Sequence, residues 1–154
     1  MRRTFFFLVP ALLVACGGDD DLLEIPDGPL EGVIGGQDWA FASGTTDSFL
    51  SDGDAFWVSL LDTEGDCGSF GDGNKLLTQL PTETGEYELG LSQNVTFVVQ
   101  TDDAVENLVA TEGVLRVDDI TDTTVEAAIV AEYDDSNSVG GSFTVTICEQ
   151  TTYY

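Results

Sequence analysis

Between residues 30 and 149 apolar side chains recur mostly at every second position, in short runs rich in Val, Ile, Thr, Phe and Tyr that Gly, Asp, Asn and Ser separate. A period of two marks a half-buried strand, and these residue types suit a pleated surface. The runs predict strands over residues 30–34, 37–42, 56–61, 75–80, 86–91, 95–100, 113–119, 125–133 and 142–149. The segment 56–61 is apolar on both faces, as a strand covered on each side would be. Helical periodicity is almost absent. The one helical turn predicted is 101–106, with Thr101 as N-cap and acids in the first turn.

The last two runs are regular enough to assign faces. Val125, Ala127, Ile129, Ala131 and Tyr133 share one side of their strand, and Glu126 and Glu132 take the other. Phe143, Val145 and Ile147 form a matching stripe, and the turn formers of 134–138 lie between the two runs. This spacing predicts an antiparallel hairpin. Trp39 and Trp57, among Phe41 and Phe56, are expected in the core. With no βαβ spacing, repeat or second domain visible, the expected fold is all-β: an antiparallel β-sandwich or closed barrel of about eight or nine strands in a single domain.

Charge then narrows the functional classes. The 154 residues hold 29 Asp and Glu against 4 Lys and Arg, with no His and a net charge of −25. Without His there is no Ser-His-Asp or Cys-His relay and no His-ligated zinc or haem. The negative charge excludes nucleic acid as a partner, because nothing here neutralises a run of phosphates. Hydrophobic residues at 42% are those of a folded chain and not of a disordered acidic tail.

The N-terminus reads as an export signal. Arg2 and Arg3 precede an apolar stretch at 5–15, too short for a bilayer core of roughly 30 Å, and Leu13-Val14-Ala15-Cys16 closes it. That tetrapeptide resembles the lipobox of bacterial lipoproteins. The resemblance implies cleavage before Cys16 and acylation of Cys16, so that the chain sits on a membrane through its N-terminal lipid without crossing it. Gly17 resembles a sorting position that permits outer-membrane transport, in the periplasmic or the surface-exposed leaflet. The expected organisation is therefore a signal peptide at 1–15, an acylated Cys and flexible acidic tether at 16–29, and the all-β domain at 30–154. Removal of the signal leaves only Lys75 and Arg116 against 29 acids, a net charge of −27. Such acidity reads either as adaptation to salt or as a cation site.

Two further stretches resemble small exported lipoproteins of Bacteroidota and related marine bacteria: the closing run 133–143, and Pro81 followed by Gly85 and Tyr87. The function of those proteins is mostly unassigned, so the resemblance supports an all-β fold and brings no active-site residue with it.

With Cys16 acylated, Cys67 and Cys148 remain, and an exported domain with one pair of cysteines is expected to join them in a disulfide. The loop around Cys67 is the best candidate for a site. Asp62, Glu64, Asp66, Asp72 and Asn74 lie within thirteen residues among four glycines. Calcium takes six to eight such oxygens, although the spacing does not fit an EF-hand, and a merely solvated acidic loop is the competing reading. The expected function is a lipid-anchored envelope protein with a non-catalytic structural or interaction domain and no required cofactor. The alternatives are a calcium- or carbohydrate-binding module using 62–74, and a small hydrolase built on paired carboxylates. Candidate partners are an envelope protein, a polysaccharide or calcium.

Overall fold

The alternating runs become eleven strands in the computed structural model, which describes residues 23–47, 51, 53–69 and 71–149. They are β1 (Glu31–Ile34), β2 (Gln37–Ala40), β3 (Ser43–Thr46), β4 (Ala55–Leu61), β5 (Lys75–Pro81), β6 (Gly85–Glu88), β7 (Val95–Gln100), β8 (Val105–Ala110), β9 (Glu112–Ile120), β10 (Thr124–Asp134) and β11 (Asn137–Thr146). The protein is an all-β single domain, with no helix among the described residues.

One sheet holds all the strands, in the order β6-β9-β10-β11-β3-β4-β5-β7-β8, with β1 added to β11 and β2 to β1. Pairing is antiparallel except where β11 meets β3, in parallel, at Thr146 and Thr45. The sheet curls into a half-barrel whose terminal strands β6 and β8 do not pair with each other. It is thus neither a two-sheet sandwich nor a fully closed barrel.

Two bent runs carry the chain around the curl. The Phe41 amide donates to Leu30 and the next amide, Ala42, donates to Leu61, so β2 leaves β1 and β3 joins β4 within one residue. At the second corner only Thr111 separates β8, on β7, from β9, on β10. Gly113 makes that bend possible. Its φ is +134°, and a Cβ there would collide with the Val130 carbonyl.

Inside the curl, the inward faces meet in one core that includes Leu60, Leu76, Phe97, Leu115, Ile129 and Val145. Each such side chain, fully removed from water, contributes roughly 1.5–3 kcal/mol of hydrophobic stabilisation. Phe41 from the first corner packs on Phe143 with ring centroids 5.8 Å apart.

The predicted closing hairpin forms, with Asp134 opposite Asn137 and the stripes of β10 and β11 in register. Tyr133 departs from its stripe. The register shifts between Glu132 and Asp134, and the bulge turns Tyr133 outward to 49% exposure. The turn expected around Gly35-Gly36 is a two-residue hairpin with φ of +62° and +73°, the conformation in which glycine costs least.

Two local expectations are corrected. The predicted helical turn at 101–106 is instead the β7–β8 hairpin. Thr101 Oγ1 accepts the Ala104 amide at 3.1 Å while the Thr101 amide donates to Ala104. A threonine that caps a helix satisfies a strand turn by the same bond. Trp57 is 38% exposed, because β4 points Val58 and Leu60 inward and Trp57 outward; Trp39 alone is buried as expected. The end of the stretch expected as tether packs on β11. Ser142 donates to Gly28, Leu30 donates to Ser142, and the Pro26 ring lies close against Gly140. Residues 1–22 and 150–154, including the lipobox and Cys16, lie outside the described residues.

Candidate functional site

The β4–β5 connection, residues 62–74, is held at its tip and at both ends. Cys67 and Cys148 form a disulfide with their Cα atoms 5.7 Å apart, tying the loop to the chain just beyond β11. Cys148 in turn donates its amide to Thr46 Oγ1 at 2.8 Å, so the bridge lies beside the parallel meeting of β3 and β11. Within the loop, Asp66 and Ser69 close a turn through the Asp66 amide and Ser69 Oγ at 3.1 Å and the Ser69 amide and Asp66 carbonyl at 2.9 Å. Ser43 Oγ donates to the Thr63 carbonyl at 2.7 Å, and Lys75 Nζ donates to the Gly71 carbonyl at 3.0 Å.

Asn74 sits at the far end of the loop and joins other parts of the chain. Its Nδ2 donates to the Ile34 carbonyl at 2.9 Å, its Oδ1 accepts the Gln100 amide at 2.8 Å, and its carbonyl accepts the Trp39 indole N–H at 3.0 Å. Both amide atoms of the side chain are engaged in joining the first hairpin to the ends of β5 and β7. An Asn rather than an Asp suits this place, because one bond needs a donor and the other an acceptor.

The other candidates remain at the surface. Asp62, Glu64 and Asp72 border an open depression of about 640 Å³ with Leu61, Thr63 and Ser69. Asp62 and Asp72 also face a smaller one, about 380 Å³, shared with Asp38, Asp102 and the Trp39–Asn74 junction. Asp66 borders neither depression and belongs to the turn with Ser69. Among the described residues no three carboxylates or cysteines come close enough to hold a metal ion.

The cation on the far side of the molecule is paired. Arg116 Nε meets Asp118 Oδ1 at 2.6 Å, and Glu86 lies opposite Arg116 in the ladder with β6. The hydrogen bond to Asp118 is the main cause that raises the guanidinium pKa above its ordinary value; partial burial works against it and the charges of Asp118, Glu86 and Asp27 add to it. A raised pKa on a cation means stabilisation that is complete below the ordinary value and lost only as pH rises through the raised one. The pair therefore holds across the whole physiological range.

Charge is distributed unevenly over the outer surface. The outward positions of β4, β5, β7 and β8 are Ala55, Trp57, Ser59 and Leu61, then Lys75, Leu77, Gln79 and Pro81, then Thr96, Val98 and Gln100, and finally Val105, Asn107 and Val109. None is an acid, in a chain with 29 of them. Trp57, Val105 and Val109 are 38%, 55% and 46% exposed, while Leu61 and Val98 are covered at 2% and 4%. On the opposite half-sheet, by contrast, Glu86, Glu88, Asp118, Glu126 and Glu132 all lie exposed. This segregation was missed in reading the sequence, although the runs 55–61, 75–81 and 95–100 carry no Asp or Glu.

Comparison of the chain with protein-family models, curated proteins and solved structures finds no match.

Proposed function

We propose that this protein is a bacterial lipoprotein, anchored to the cell envelope through an acylated Cys16, whose all-β domain serves as a non-catalytic structural or interaction module. The observation that carries the reading is Leu13-Val14-Ala15-Cys16 at the end of a short apolar stretch that follows Arg2 and Arg3. The disulfide supports it. Such bonds persist in chains exported to an oxidising compartment, and Cys67 with Cys148 leaves Cys16 as the one remaining thiol of the three. Two or three acyl chains at about 0.8 kcal/mol per buried methylene hold a domain stably to a bilayer. An outer-membrane location follows from Gly17, in either leaflet.

The non-catalytic reading rests on what the chain offers chemically. It has no His, Lys75 is bonded to a loop carbonyl and Arg116 is bonded to Asp118. Metabolic labelling with radioactive palmitate and detergent-phase partitioning test the anchor. Wild type takes up label and enters the detergent phase, and Cys16→Ser does neither. A wild-type chain that stays unlabelled and aqueous overturns the reading.

A further inference from the structure

We propose that the outward face of β4, β5, β7 and β8 docks on the same face of a second copy of this chain. The inference rests on the reading of the domain as an interaction module and names its partner. Its basis is the absence of carboxylates from all the outward strand positions of this half-sheet, an absence that β3 and β11 continue, against the exposed acids of β6, β9 and β10.

Charge complementarity selects the partner. A cationic partner would be held better by acids on this face than by their absence, and an anionic one would be repelled by the acids around it, such as Asp102 and Asp103. A second copy poses a different problem. About a two-fold axis each carboxylate in the interface would meet carboxylates of its mate, with Lys75 the one cation among these outward positions and already bonded to the Gly71 carbonyl, and two such chains can approach only over a surface cleared of them. The cleared surface is also the apolar one. Trp57 stands out from β4, Leu77 is half-buried on β5, and Val105 and Val109 are exposed on β8. Gln79, Thr96, Gln100 and Asn107 supply neutral hydrogen-bonding groups among them. An indole surrounded by neutral polar side chains, inside a charged rim, has the composition of an interface centre.

The area sets the strength. Four strands about 4.8 Å apart and roughly 20 Å long present some 400 Å² per copy, against about 800 Å² per partner in a standard interface. The contact is therefore weak in dilute solution and gains from confinement of the copies on one surface. Because the rims still repel, salt strengthens the association instead of dissolving it.

Sedimentation velocity on the full-length Cys16→Ser chain tests the proposal. The substitution removes any association through an acylated end, so the outcome is independent of whether Cys16 carries lipid. This chain is expected to be a monomer in dilute buffer and to shift towards dimer as sodium chloride rises into the molar range. Val109→Glu, which puts a carboxylate back on the face, weakens the dimer by at least about tenfold, and Trp57→Ser weakens it similarly. Glu126→Gln, at an exposed outward position of the acid-bearing β10, leaves it unchanged. Circular dichroism and melting confirm that each variant is folded. A Cys16→Ser chain that stays monomeric in molar salt overturns the proposal. Dimerisation that survives both Val109→Glu and Trp57→Ser in folded protein overturns it equally.

Discussion

Trp39 donates its indole N–H to the carbonyl of Asn74 at 3.0 Å, across 35 residues of sequence. The bond joins the buried aromatic of the first hairpin to the residue where the acidic loop re-enters the sheet. Asn74 then reaches both ways with its side chain, to Ile34 and to Gln100. Four segments of chain thus meet at one residue.

Asn74→Ala leaves the Gln100 amide and the Ile34 carbonyl without these partners in a half-buried place, and the expected loss is about 2–3 kcal/mol. Asn74→Asp keeps the acceptor for Gln100 but sets a carboxylate against the Ile34 carbonyl, so it too destabilises. Urea unfolding checks both. The midpoint falls with the slope unchanged, because the surface exposed on unfolding is the same. An Asn74→Ala variant as stable as wild type would show that the junction does not hold the hairpin.

Gly113 and Gly36 both have positive φ, and their substitution separates backbone strain from steric collision. At Gly36 a Cβ meets nothing within 4 Å, so Gly36→Ala carries only the left-handed penalty, about 1–2 kcal/mol. At Gly113 the Cβ would strike the Val130 carbonyl, which is backbone and cannot rotate away. Gly113→Ala is expected to cost more than about 3 kcal/mol or to prevent folding, since the β8–β9 corner has no other way to turn. Thermal melting of the two variants side by side gives the comparison, and equal midpoints would refute it.

Reading the sequence recovered the strands whose alternation is strict, such as β10 and β11, because there a burial period of two is written directly into Val125, Ala127 and Ile129 against Glu126. It failed where short polar residues do two jobs. Ser43-Gly44-Thr45-Thr46 has the composition of a turn, yet it lies buried as β3 because Thr46 is held by the Cys148 amide. Thr101 serves a hairpin as readily as a helix. The half-barrel itself was not legible, since its corners depend on where Phe41 and Ala42 divide their hydrogen bonds. Cys67 and Cys148 were legible by elimination. Asn74 was not, because a list of oxygen-bearing residues does not show which of those oxygens other parts of the chain already use.

The disulfide closes a loop with a sequence separation of 81 residues. In the chain-entropy model a loop of that size contributes about 4.5 kcal/mol, largely by restricting the unfolded chain. The paired variant Cys67→Ser/Cys148→Ser is expected to lose somewhat less, because the Thr46 to Cys148 bond is through the backbone amide and survives. Hydrogen exchange followed by mass spectrometry should find the first loss of protection in β3 and at the end of β11, where a single parallel register holds the two together. Loss confined to the hairpin of β7 and β8 would place the effect elsewhere.

Calcium and sodium chloride, compared at equal ionic strength on metal-stripped protein, decide what the acidity does. A bound ion at a hundred times its Kd would add about 2.7 kcal/mol, which is several degrees in the melting midpoint of a domain this size. The geometry predicts no such excess, because Asp62, Glu64 and Asp72 ring an open hollow, Asp66 lies in the turn with Ser69, and Asn74 is engaged with Ile34 and Gln100. Both salts should instead raise the midpoint together, by screening a net charge of −25. Asp62→Asn and Asp72→Asn should each raise stability slightly in dilute buffer, by removing repulsion, and the gain should vanish in molar salt. A calcium-specific rise abolished by either variant would restore the loop as a cation site.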